Sequence, residues 1–129
     1  MITRNQIYTY VEAQVNLLER PVYCASTYEP IPEEFPACYI EELSHYPSRN
    51  NVDLQHEDVQ LVRDFEVHTF SNLVNGALTE AMTIMEDAES AMKELGFIET
   101  YCGQVNNLDV TVVHVVARFT RVFGDADTI

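Results

Sequence analysis

The stretch from Leu108 to Phe123 constrains this chain more than any other. It carries β-branched residues at Val110, Val112, Val113, Val115 and Val116 and is broken only near its end, by Arg118 and Arg121. Its apolar residues fall at both odd and even positions. Strand side chains alternate between faces, so such a strand needs cover on both sides. It must therefore sit inside a sheet, under helices on one face and under something else, such as a neighbouring chain, on the other. The longest apolar run, Val110 to Ala117, is interrupted by Thr111 and His114 and is too short to span a bilayer.

The remaining segments supply the cover and the partner strands. Ile7, Val11, Val15 and Leu18 recur at helical spacing, with Thr3 suited to cap the helix and Pro21 to end it. Tyr8, Tyr10 and Leu17 fall off that stripe, where they either widen the same contact or touch another subunit. Val22 to Tyr28 alternates weakly, as a short strand or an extended link. Residues 29–36, with Pro30, Pro32 and Pro36, form a stiff acidic connector. Ala37 to Leu43 reads as a strand, and Val59 to Phe70 as another, with Leu61, Phe65 and Val67 on one side and Asp64, Glu66 and His68 on the other. Arg63 interrupts the apolar side.

The clearest helix follows the break at Asn72 to Asn75. Leu78, Met82, Met85, Met92 and Leu95 share a face, acidic residues mark the opposite side, and Gly96 closes it. This face is expected to pack on Phe65, Val67, Val113, Val115 and Phe119. Phe97 to Val105 reads as a strand ending at the turn pair Asn106-Asn107. The order α-β-β-α-β-β predicts an α+β fold, a mainly antiparallel sheet of about four strands with two helices on one face. A length of 129 residues fits a single domain over 1–129.

Composition narrows the function classes. Asp and Glu number 21 against seven Lys and Arg, a formal net charge of −14. Such a surface repels phosphate, which excludes a DNA-gripping module or an anionic-lipid anchor. Cys24, Cys38 and Cys102 form no C-x-x-C pair, and the four histidines show no zinc spacing, so neither a disulfide framework nor a metal or other cofactor is expected. The amino terminus lacks the apolar core of a signal peptide, and a reducing cytoplasm is the expected folding compartment. Three methionines in the helix stripe are read as core, because Met fills irregular gaps.

Catalytic signatures are missing too. Gly76, Gly96, Gly103 and Gly124 are isolated, and G-x-S-x-G does not occur. Glu41 and Glu42 are neighbours in a strand, point to opposite faces and cannot converge on one substrate. His68 and His114 both lie in predicted strands and could form a buried pair, with a structural role as the default. No enzyme is expected.

Three features together resemble the bacteriophage tail terminator family. They are a first helix followed by Phe35-Pro36-Ala37-Cys38-Tyr39-Ile40-Glu41; the strand Arg63-Asp64-Phe65-Glu66-Val67-His68-Thr69-Phe70, leading to a helix that ends Met92-Lys93-Glu94-Leu95-Gly96-Phe97; and the long final strand. The resemblance covers nearly the whole chain in pattern and order. It implies a structural virion protein, assembled in the host cytoplasm, that forms a ring (a homohexamer), caps the tail tube and joins tail to head. Its partners would be other copies of itself, the tail tube protein and the head connector or stopper. DNA would pass through the ring without specific binding, and no membrane is involved. Alternatives are another neck or tail ring component, such as a head completion, stopper or tube protein, and a small ligand-binding α+β domain. A pocket with converging His68, His114 and Glu66 would favour the last of these.

The polar segment 44–58 agrees with the extended hairpin arm of that family and is expected to reach an adjacent subunit. In so acidic a chain, scarce cations are most valuable at contacts. Arg49, Arg63, Arg118 and Arg121, with Glu41, are the expected intersubunit or tube-facing residues.

Overall fold

The computed structural model describes residues 2–16, 21–27, 32–47, 61–106 and 111–123. The elements run α1 (Arg4–Val15), β1 (Tyr23–Ala25), β2 (Ala37–Pro47), β3 (Leu61–Ser71), α2 (Ala77–Glu94), β4 (Ile98–Val105) and β5 (Val113–Phe123). The α+β class stands, but the sheet has five strands rather than about four, in the order β1-β2-β3-β5-β4. The added strand is β1, which pairs parallel to the start of β2, Tyr23 with Ala37 and Cys24 with Cys38. Its pairing is reinforced by the Tyr23 N–H, which donates to the Pro36 carbonyl at 2.9 Å. Three residues are too few to show a period, and nothing local in a sequence announces a parallel return. The other pairs, β2 with β3, β3 with β5 and β4 with β5, are antiparallel.

Both helices lie on one face of this sheet. Thr3 caps α1 through a reciprocal box, its hydroxyl accepting from the Gln6 N–H while Gln6 accepts from the Thr3 N–H. Ile7, Val11 and Val15 are fully buried against the sheet and α2, and Tyr8 and Tyr10 widen that same contact. Gly96 takes a φ of 86° beyond the end of α2, a left-handed conformation that a Cβ would strain. The buried stripe of α2 is Ala81, Ile84, Met85, Ala88, Ala91 and Met92, with Leu95 just beyond. It packs with Phe65, Val67, Val115 and Phe119 as expected, and the half-buried Val113 packs against the same cluster. Leu78 is a correction, because it is 46% exposed. It sits in the first turn of α2, near the end of the sheet where β3 stops at Ser71.

The long strands β2 and β3 pair over almost their full length, with an irregularity between Glu42 and Ser44. Ser44 to Pro47 belong to β2, paired with Leu61 to Asp64, so the first residues of the expected 44–58 arm extend the β2–β3 hairpin. The rest of the expected arm, including Arg49, lies outside the described residues. Among the described residues, no helix is long and apolar enough to cross a membrane.

Candidate functional site

The sheet face turned away from the helices carries the densest chemistry. Strand alternation places Glu66, His68 and Phe70 of β3 on this face, and His114, Val116 and Arg118 of β5 beside them. The antiparallel register sets Glu66 opposite Arg118 and Phe70 opposite His114. Glu66 becomes the hub: one carboxylate oxygen accepts from Arg118 Nε at 2.7 Å, the other stands 2.6 Å from His68 Nε2. His68 Nδ1 stands 2.8 Å from His114 Nε2. A carboxylate only accepts, so His68 carries its proton on Nε2 and its Nδ1 accepts from His114 Nε2–H. The chain of donors runs from His114 through His68 to Glu66.

Packing holds this line in place. The His114 ring stacks on Phe70 with centroids 4.1 Å apart, and Tyr39 meets Phe70 edge-on at 5.6 Å. Glu66, His68 and His114 are all buried. Burial pushes His68 below the ordinary imidazole value, opposed by the neighbouring Glu66 carboxylate. Burial and the adjacent His68 ring push His114 down to about 4. Both imidazoles are thus neutral near pH 7, a state in which one ring can donate to the other. Thr100, Tyr101 and Val105 of β4 complete a shallow groove of about 570 Å³ over the cluster. The Thr100 hydroxyl donates to the Arg118 carbonyl at 3.4 Å. The arrangement can hold and pass a proton along a fixed line, and it presents the Arg118 guanidinium to solvent, with a side chain 59% accessible.

The residues picked from sequence separate into two groups. Glu41 lies opposite Glu66, and Glu66 opposite Arg118, so Glu41, Glu66 and Arg118 form one row across three strands on this face. Arg63 and Arg121 also face each other in the register, but on the helix side. There they turn apart. Arg63 makes a two-pronged pair with Glu42, at 3.1 and 3.0 Å, and donates to the Ile2 carbonyl ahead of α1. Arg121 donates to the Leu95 carbonyl at the end of α2 and lies 4.3 Å over the Phe123 ring. The partners of both are within the chain, and Arg63 is 6% exposed. Glu42 points inward and Glu41 outward, as neighbours in a strand must.

Sequence reasoning identified the His68–His114 pair but not the hydrogen bond from Arg118 to Glu66, nor the groove wall from β4. The Glu66-Val67-His68 alternation was the available signal, since positions two apart share a face. Its partner across the sheet depends on register, which is a long-range property.

A second cluster lies on the helix side, where ligand atoms of Glu89, Glu99 and Cys102 fall within 4.8 Å of one another. Burial and a hydrogen bond with Glu99 push Glu89 up to about 7, and burial beside both acids pushes Cys102 up to about 11. The Lys93 ammonium, 3.7 Å from Glu99, supplies positive charge to the group.

No family model matches the sequence, and no protein of curated function matches it either.

Proposed function

We propose that the chain is a structural ring subunit of a tailed-phage virion, a tail terminator that caps the tail tube and joins tail to head. The observation that carries this reading is the edge strand β4. Among the described residues it closes the sheet next to β5, with one neighbour in the sheet order, and presents Ile98, Tyr101 and Val105 to solvent. Val122 of β5 is exposed as well. A long edge with unpaired backbone groups and apolar side chains is a template for association, and monomeric proteins normally blunt it. A ring gives each such edge a neighbour. The element order, with helices on one face of a largely antiparallel mixed sheet, adds support at the level of fold.

The deciding experiment combines mass with activity on tubes. Light scattering is expected to give a closed assembly of about six chains. Added to growing tail tubes, that assembly should stop elongation and make the tails competent to join heads. A chain that polymerises alone into open tubes would instead be a tube subunit. Tubes that elongate and join heads without it would remove the reading.

A second reading is favoured by the groove over Glu66, His68 and His114, which suits a small ligand-binding domain with an acid–base relay. A screen of small molecules by nuclear magnetic resonance separates the two. Binding that perturbs the His114 ring and is lost in His114→Gln, without any change in assembly, supports it.

A further inference from the structure

Cys24 and Cys38 lie fourteen positions apart in sequence yet are register partners on the parallel strands β1 and β2. Neighbouring strands run ~4.8 Å apart, inside the ~4.4–6.8 Å window of Cα separations that a disulfide spans. Both side chains belong to the helix-side core: Cys38 is fully buried there, and Cys24 packs against it half-buried. Both are free thiols. Cys24 also opens onto a second groove, of about 570 Å³, between the end of α1 and the turn before β2.

We propose that Cys24 and Cys38 are a redox pair, which an oxidant entering this groove converts to an intrachain disulfide, with Cys24 attacking and Cys38 resolving. The order follows from position, since Cys24 meets the groove and Cys38 lies beneath it. Hydrogen bonding points the same way. Asn16 Nδ2 donates to Cys24 Sγ at 3.8 Å, while the Cys24 thiol itself donates to the Val22 carbonyl at 3.7 Å. The hydrogen bond from Cys38 holds the Cys24 thiol below its ordinary value, against burial and the Glu12 charge. The same contact, with burial, holds Cys38 well above its own. A thiolate is the nucleophile in exchange, so the sulfur that ionises first attacks first.

With a small-molecule disulfide as oxidant the chemistry balances. The Cys24 thiolate attacks one sulfur of the reagent, forms a mixed disulfide and expels one thiolate, which takes up a proton. Cys38 then loses its proton, attacks Cys24 Sγ and expels the second thiolate. Two protein thiols give up two electrons and two protons, and one reagent disulfide becomes two thiols. Glu12 and Glu34 line the groove, so a cationic disulfide should enter faster than an anionic one.

The test uses the full chain carrying Cys102→Ser, which removes the exposed third thiol. Treated with cystamine, the protein should lose two hydrogens in mass and retain no reagent, and digestion should yield one peptide pair joined through Cys24 and Cys38. In Cys38→Ser the reaction should stall with one half-cystamine on Cys24; in Cys24→Ser, uptake should slow at least ~10-fold because Cys38 is buried. Cystamine should outpace oxidised glutathione at low salt, the gap narrowing as salt screens the groove. Closing the loop between the two cysteines should raise the melting temperature by several degrees, reversed by dithiothreitol. That shift needs no variant, so it reads the pair even where Cys38→Ser folds poorly. A parent chain that keeps a half-cystamine on Cys24 without resolving it, or a Cys24→Ser chain that reacts as fast as the parent, overturns the proposal.

Discussion

The imidazoles of His68 and His114 meet nitrogen to nitrogen at 2.8 Å, and that contact exists only while at least one of the facing nitrogens is unprotonated. His114 is held down to about 4 and His68 also lies below its ordinary value. The folded chain therefore refuses protons that the unfolded chain, with ordinary histidines near 6.5, accepts. Their contribution to stability is complete above about pH 6.5 and is lost as the pH falls toward about 4. Glu89, held up at about 7, acts in the opposite sense: its contribution is full at low pH and fades as the pH rises through that value. Comparing the parent with His114→Gln cancels the Glu89 effect. Between pH 7 and pH 5 the parent should lose on the order of 1 kcal/mol more than the variant, discounted because the groove admits solvent. Urea midpoints across that range measure it, and parallel curves would contradict it.

The packed face of α2 gives a second prediction. Met85 is fully buried, while Leu78 on the same helix is 46% exposed. Met85→Asp places an unpaired charge in the core and should cost more than ~3 kcal/mol, a fall in melting temperature of roughly 10 °C. Leu78→Asp should change stability by less than ~0.5 kcal/mol. Equal effects would mean that the two positions share one environment.

These two residues also mark the limit of what the sequence discloses. Periodicity found α2, and with it Met85, because helical spacing is local; Thr3 and Gly96 marked helix ends for the same reason. Leu78 has the right period, but where a helix overhangs its sheet depends on the strand below. Arg63 broke an apolar strand pattern and so suggested a contact with another chain. In the fold, Glu42 on the next strand and the Ile2 carbonyl give it a buried partner set, which no local pattern contains. The cysteines are the extreme case: with no spacing motif, only the parallel return of β1 brings Cys24 to Cys38. The proton line from His114 to Glu66 is intermediate, half visible as Glu66-Val67-His68 and half dependent on register.

Arg63 yields a third prediction. Its side chain and that of Glu42 are 7% and 10% accessible, so removing one leaves the other charge buried without its partner. Arg63→Met should destabilise the fold by ~3 kcal/mol or more. Adding Glu42→Leu to it should recover a substantial part, because the stranded carboxylate is then gone. A double-mutant cycle by chemical denaturation measures the coupling. Additive effects would show that the pair contributes nothing beyond its separate packing.

The last prediction concerns the edge of the sheet. Ile98 and Val105 are 68% and 37% exposed at opposite ends of β4, and neither belongs to the core. A lysine at each would leave the fold almost untouched, since both side chains already meet solvent and a lysine stem can lie along apolar surface while its ammonium stays in water. A charged edge resists pairing with another chain, and an ammonium must be dehydrated to enter an interface. If β4 is where one subunit meets the next, Ile98→Lys with Val105→Lys should reduce the assembly to single chains at an unchanged melting temperature. A control, Val74→Lys, alters a residue that is 94% exposed in the turn before α2 and should leave assembly intact. Light scattering reads the mass and circular dichroism the melt. Rings that persist in the double lysine chain, with Val74→Lys equally silent, would place the subunit contact away from β4 and withdraw the observation on which the ring reading rests.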